Sequence, residues 1–545
     1  MKTKILLLLI ISLGFILRVA YIDQFPKTLY GDEQAFAWNA YNILKLGQDE
    51  YGNPYPLQFR SFDDYKSPLP IYLLVPFIKI FDLSIFTIRL PIVLFSTMTV
   101  LLTFKLARIF FNNKVSLMSS FLLAVSPWHV HLSRGFFEST LSLFFFIGGI
   151  YFFLINKNRL GIVILSMIFF ALSLYSYFTP RILVPIFLAL LVWYMKAVKN
   201  RSFWIGLIIL FFISLPLLKF AIFDSGLSRF NKLNEAMNRT ISESVNKERF
   251  ASQLSPSWKI IFHNKATVWI RLVTQNYLEQ LSFNYWYVFG DSSLRYFLGN
   301  MGMFYLLELP FMLYGLYILV RDKNRVAIFF IFWILLSPIP ASFVGKPFAL
   351  RSMSMIPVPF FIVAYGVNGL IRKVNNVRFI MLGVILLTLA YVCSIFIVLI
   401  RYYREYPVYA ATWWGWENKA ALDYVKLNES RYEQIFLSDY YSGITLAYAV
   451  YNKVDPLEYR RVINNPVVLA DSRHFFRFGK LYFGSLDLDE DRLKSKIMPS
   501  KSLYIGRPEE PEGEDRIVAP DDGRLLYVIH DTLKKDCYRF NLDSC

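Results

Sequence analysis

The strongest constraint on this chain is a series of apolar runs, each close to twenty residues long. The first reads ILLLLIISLGFILRVAYI. A helix crosses the hydrocarbon core of a bilayer in ~17–25 residues, and a water-soluble fold of this length would interrupt such runs with a polar face. The runs lie at 5–22, 89–109, 115–132, 138–155, 160–177, 182–196, 203–221, 299–320, 326–344, 351–371 and 378–401. They predict a mainly α, polytopic membrane protein with about eleven transmembrane helices. A further stretch, SPLPIYLLVPFIKIF (67–81), is short and has prolines near both ends, which predicts an interfacial helix. Composition agrees, with 55% hydrophobic, 18% charged and 18% aromatic residues, the last suited to belts at the two membrane surfaces.

The net charge of +18 does not point to nucleic acid, because Lys and Arg concentrate in short segments between the apolar runs. KLARIFFNNK, NKNR, KAVKNR, RDKNR and RKVNNVR alternate with the less basic LSRGFFE, YFTPR and GKPFALR. Positively charged loops stay in the cytoplasm, so the first set is cytoplasmic, together with Lys2 and Lys4. The start of the chain resembles a signal peptide, but no clear small-x-small cleavage site follows and Arg18 interrupts the run. The expectation is an uncleaved first helix. Eleven spans then place the C-terminus outside.

This topology divides the chain into a transmembrane domain, 1–401, and an extracytoplasmic soluble domain, 402–545. Within the first lie an outer loop at 23–88 and a long outer loop at 222–298. The tail mixes helix-like ENKAALDYVKL with strand-like QIFLS, SLYIG and LLYVI, which predicts an α/β arrangement. The aromatic, polar segment NYLEQLSFNYWYVFGDSSLRYF (276–297) suits either an acceptor groove or a packed amphipathic helix. Cys393 falls in the last span as a small apolar residue, whereas Cys537 and Cys545 fall in the tail, where an outer compartment permits a disulfide. No Cys or His spacing resembles a zinc site.

Charged residues gather at the outer boundaries. Arg134, Arg181 and Arg351 each sit in a short outer loop, and Arg89 opens the second span. Single arginines at such positions can snorkel to headgroups, but three loops on the side where cations are disfavoured point to a shared anion, and the planar guanidinium fork matches phosphate. Asp32 and Glu33 follow the first span almost at once, in LYGDEQAFAW, and Asp63, Asp64 and Glu138 also face outward. Solvated loops account for Asp63 and Asp64, and an i,i+4 pair with Arg134 accounts equally well for Glu138. A carboxylate pair near a phosphate site implies a general base or a metal ion.

These elements, in this order, resemble the polyprenyl-phosphate-sugar-dependent membrane glycosyltransferases of the GT-C type, the family that includes protein O-mannosyltransferases and lipid A aminoarabinose transferases. YGDEQAFAWNAYNIL is similar to the family's Asp-Glu motif, and DYKSPLPIYLLVPFIKIFDLSIFTIRLP to its surface helix followed by an arginine. SPWHVHLSRGFFESTL, YFTPRILVP and GKPFALRSMSMIPVPFFIVAYGV are similar to the arginine-bearing outer junctions. The resemblance covers about residues 5–400. Two departures stand out: Ser67 replaces a proline after Lys66, and the tail lacks the sugar-binding modules of eukaryotic O-mannosyltransferases. The resemblance implies a transfer, with inversion, from a polyprenyl-phosphate sugar donor to an extracytoplasmic acceptor that is a lipid, glycan or protein. It implies Asp32 as the catalytic carboxylate with Glu33 in support, and Lys66 and Arg351 on the donor phosphate. Arg89, Arg134, Glu138 and Arg181 complete the substrate-binding set. No cofactor is required, and a divalent metal is the competing role for the carboxylates.

Two other classes fit less well. A lipid flippase or transporter places ionisable groups near the midplane, often in repeated halves, whereas here they gather at one face and no internal repeat is present. A non-catalytic envelope assembly protein has no need of Asp32 and Glu33 alongside arginines.

Overall fold

The computed structural model describes residues 2–62, 64–223, 228–345, 348–468, 473–489, 498 and 501–533. Asp63, Cys537 and Cys545 lie outside the described residues. In chain order the helices are α1 (Lys2–Val19), α2 (Gly31–Leu46), α3 (Pro68–Phe81), α4 (Ile85–Phe110), α5 (Asn113–Val125), α6 (Pro127–Leu132), α7 (Glu138–Ile155), α8 (Leu160–Ser176), α9 (Thr179–Met195) and α10 (Arg201–Phe223). There follow α11 (Ser228–Ala251), α12 (Pro256–Phe262), α13 (Lys265–Gln280), α14 (Leu309–Asp322), α15 (Asn324–Leu336), α16 (Ile339–Ser342), α17 (Val358–Lys373) and α18 (Val377–Ile400). Last come α19 (Tyr406–Tyr409), α20 (Trp416–Asn428), α21 (Ile444–Asn452) and α22 (Pro456–Asn464). Two short strands, β1 (Phe59–Ser61) and β2 (Asp64–Lys66), form an antiparallel hairpin.

The chain falls into two compact units. One comprises Met1–Ala20, Leu57–Pro70 and Arg89–Leu399, and the other Tyr21–Pro56, Ile71–Ile88 and Ile400–Cys545. The second unit thus joins the tail to most of what the sequence places in the first outer loop.

The first unit is helical. Among the described residues, six helices are long and apolar enough to cross a membrane: Ile85–Phe110, Glu138–Ile155, Arg201–Phe220, Asn324–Ser342, Met353–Lys373 and Val377–Tyr409. Shorter apolar helices include Asn113–Val125, Leu160–Ser176 and Thr179–Met195. Helix length alone therefore does not return eleven spans, and the reason lies in local chemistry. The 115–132 run breaks where Ser126 caps α6 and Pro127 opens it. Pro338 ends α15, and Pro357 delays α17 to Val358. Residues 299–308 are mostly irregular, so the helix there begins only at Leu309. In α18 only Tyr391 is buried, as expected of a helix whose sides face lipid. The 222–298 segment is largely helical, in α11, α12 and α13. Tyr285, Trp286 and Tyr287 are buried there, so the packed alternative describes them.

Close packing in this unit depends on glycine. A Cβ on Gly315 of α14 would lie 2.1 Å from the Ile362 carbonyl oxygen, and one on Gly366 of α17 would lie 2.0 Å from that of Phe311. No larger residue fits without parting the helices.

The second unit carries a mixed sheet built from β3 (Gln434–Leu437), β4 (Val467–Val468), β5 (His474–Phe478), β6 (Leu481–Phe483), β7 (Ser502–Gly506), β8 (Asp515–Val518) and β9 (Leu525–Asp531). The order is β4-β5-β6-β3-β7-β9-β8, with β3 parallel to both β6 and β7. Ile435, Leu437, Leu503, Ile505 and Ile529 pack with Ala421, Val425 and Ala447 of α20 and α21 in one core. The tail is α/β, as its alternating segments predict.

Candidate functional site

Arg351 lies in the loop between α16 and α17, and four distant elements fix that loop. Asp291 accepts the Ala349 amide at 2.7 Å and the Ser293 amide at 2.8 Å. Trp128 of α6 donates its indole N–H to the Ala349 carbonyl at 3.1 Å, and Trp333 of α15 donates to Ser354 at 2.8 Å. The hydroxyls of Tyr285 and Ser352 are 3.3 Å apart. Burial pushes the Asp291 carboxyl up to about 6 against the opposing pull of its two amides.

The Arg351 guanidinium sits 4.7 Å from the centre of the Phe348 ring, and its Nη1 is buried without a hydrogen-bond partner among the described residues. A buried charged donor left unpaired costs at least ~1–3 kcal/mol, so the position is built for an acceptor from elsewhere. Arg351 lines a narrow crevice with Ser139, Ser142, Tyr177, Thr179 and Ser354. Arg181 belongs to the same turn as Tyr177 and Thr179. Its Nη2 donates to Ser67 Oγ at 3.4 Å and its charge lies 4.1 Å from the Phe178 ring centre. Ser67 follows the buried Lys66, whose ammonium is 3.5 Å from Asp64. Ser67 therefore links the end of this hairpin to Arg181.

The remaining predicted residues of this unit lie on other elements. Arg89 is fully buried one turn inside α4. Glu138 is the first residue of α7, where a carboxylate complements the helix N-terminus. Arg134 is not one helical turn from it, because the chain leaves helix between α6 and α7. Its guanidinium instead reaches the last carbonyls of α1: Leu17 at 3.0 Å, Arg18 at 3.2 Å and Ala20 at 2.8 Å. Carbonyls at a helix C-terminus lack intrahelical partners, and a buried cation satisfies them. Arg18 makes the reciprocal contact, donating to Ala124 at 3.0 Å and lying 2.7 Å from His129 Nδ1. Arg134 is thus built into a structural network that ties α1 to α5 and α6.

In the second unit, Asp32 and Glu33 form the first turn of α2, which also favours carboxylates electrostatically. Glu33 is fully buried and Asp32 partly exposed. The tail holds this helix in place. Thr28 Oγ1 donates to the Trp414 carbonyl at 2.7 Å, the Leu29 amide donates to Tyr451 Oη at 2.9 Å, and the Trp38 and Tyr459 rings lie 4.9 Å apart. Among the described residues no group of three or more His, Cys, Asp or Glu side chains is placed to hold a metal ion.

Asp291 and the Arg18–His129 pair were not predicted. Arg18 was visible as a charge interrupting an apolar run. Asp291 carried no signal beyond its turn-like setting, FGDSS.

The fold is similar to that of solved membrane glycosyltransferases. Residues 65–220 match the family described as dolichyl-phosphate-mannose-protein mannosyltransferase. ArnT from Cupriavidus metallidurans superimposes with a TM-score of 0.53 at 12% identity, over 98% of this chain and 99% of that one. Its complex with undecaprenyl phosphate gives 0.52 at 12% identity, over 96% and 97%. An Archaeoglobus fulgidus oligosaccharyltransferase tethered to an acceptor peptide gives 0.51 at 14% identity, over 82% of this chain and 63% of that one. This chain therefore spans less than two thirds of the archaeal enzyme. No curated protein sequence matches the chain.

Proposed function

We propose that this chain is an integral membrane glycosyltransferase that moves a sugar from a polyprenyl-phosphate donor to an extracytoplasmic acceptor. The single observation that carries the proposal is the buried Nη1 of Arg351, without a partner among the described residues, in a crevice shared with hydroxyl groups. The match over residues 65–220 and the likeness to a fold also seen bound to undecaprenyl phosphate support it.

Arg351 and Arg181, with Lys66, hold the donor phosphate through charge-assisted hydrogen bonds. They also stabilise the charge that grows on it as the glycosidic bond breaks. Asp32 takes the proton from the attacking acceptor hydroxyl, a contribution of roughly 10²–10⁴-fold, and Glu33 supports it from its buried position. Attack on the anomeric carbon opposite the leaving phosphate inverts that centre. Phosphate is a fair leaving group, so no cofactor is needed for the step. The N-terminus lies in the cytoplasm and the tail outside in this reading, which the alternating basic loops support.

Purified protein given a panel of labelled polyprenyl-phosphate sugars should transfer one of them, and Arg351→Ala should abolish that transfer. Chelator separates the base role of Asp32 from a metal role, since only the latter makes turnover depend on divalent ions. Absence of transfer from every donor, with lipid-phosphate binding unaffected by Arg351→Ala, would refute the proposal.

A further inference from the structure

A second basic site lies at the other end of α17. A cleft of about 350 Å³ opens where α14 and α17 terminate, walled by Tyr317, Arg321, Tyr365, Asn368, Arg372 and Lys373. Gly369 at its base lets Ile318 of α14 pack closely, since a Cβ there would sit 2.4 Å from Ile318 Cδ1. Asp322 also lines the cleft, but Arg321 Nε donates to it at 2.7 Å, which leaves Arg372 and Lys373 as the excess positive charge. With 16 residues in α17, a rise of ~1.5 Å per residue separates this cleft from the Arg351 loop by about 24 Å.

Cations at helix C-termini complement the helix dipole, and loops expected to face the cytoplasm are basic as a rule. Neither effect explains a formed cleft that sets an amide beside the cations. The outer side of α14 beside it is apolar and exposed at Leu313 and Val320. A ligand with an anionic head and hydrocarbon chains would therefore match both surfaces.

We propose that this cleft binds the phosphate headgroup of an anionic phospholipid, in the leaflet opposite the one that supplies the sugar donor. Arg372 and Lys373 contact the phosphodiester, Asn368 adds a neutral hydrogen bond, and the acyl chains lie along α14. Basic pockets between transmembrane helices bind headgroups in this way.

The test titrates phosphatidylglycerol into the full-length protein in a neutral detergent and reads bound lipid by native mass spectrometry. Phosphatidylcholine and inorganic phosphate are run in parallel. Phosphatidylglycerol should bind saturably, with at least tenfold weaker binding in the Arg372→Gln, Lys373→Gln variant. The charge-conserving Arg372→Lys, Lys373→Arg variant should stay within about threefold of wild type. Equal binding of phosphatidylcholine, unchanged binding in the glutamine variant or loss in both variants would overturn the proposal. Competition by inorganic phosphate at equal concentration would assign a soluble anion and overturn the lipid. Sugar transfer does not enter the readout, so the outcome is independent of the function proposed above.

Discussion

The Asp291 carboxylate accepts the amide of Ala349 at 2.7 Å, two residues before Arg351. A buried acid thereby sets the backbone from which the candidate phosphate ligand projects. Arg351 itself has an Nη1 with no hydrogen-bond partner among the described residues. Preorganisation of this kind keeps a cationic site open without letting a protein carboxylate neutralise it.

Arg351→Ala should weaken binding of the lipid-linked donor by about 10–100-fold, the scale of one lost charge-assisted hydrogen bond at ~1.5–3 kcal/mol. Arg351→Lys should recover only part, because the fork is lost. Equilibrium binding of a labelled polyprenyl-phosphate sugar checks both variants.

Asp291→Asn should destabilise the fold by about 1–3 kcal/mol, because the side chain then presents a donor to one of the two amides it now accepts. The pH dependence follows from the raised folded value of about 6, against ~3.9 in an unfolded chain. The folded protein retains a proton that the unfolded chain has already released. This group's contribution is therefore fully present below about pH 4 and is lost as the pH rises through 6. Wild-type Tm should fall relative to the Asn variant between those values, which thermal melts at stepped pH would show.

Arg134→Met should behave differently from Arg351→Ala. It strands the carbonyls of Leu17, Arg18 and Ala20, at a cost of about 2–4 kcal/mol. Reduced Tm with donor affinity within about twofold of wild type is the expected result. A selective loss of donor binding at normal Tm would favour a ligand role for Arg134 instead.

Asp32→Asn is nearly isosteric and should fold and bind donor, with turnover lower by roughly 10²-fold or more. Glu33→Gln should do less to turnover. Tyr451→Phe removes the hydroxyl that accepts the Leu29 amide, and should lower kcat several-fold at unchanged donor affinity because it loosens the start of α2. A well-folded Asp32→Asn protein working near the wild-type rate would dismiss the base role.

The sequence alone determined what short-range physics encodes. Apolar runs marked the helices, strand-like segments marked the sheet of the tail, and the order of outer motifs marked the family resemblance. Each depends on neighbours in the chain or on composition against a bilayer. The tertiary structure decided how individual charges are used. Arg134 and Arg351 look alike in sequence, each at an outer boundary after an apolar run. One is spent on carbonyls more than a hundred residues away, and the other is held open by Asp291, Trp128 and Trp333. The grouping of the Asp32 helix with the tail likewise rests on contacts such as Thr28 to Trp414. Side-chain pairings across such separations leave no periodicity in the chain, because they are selected by packing only after the helices have formed.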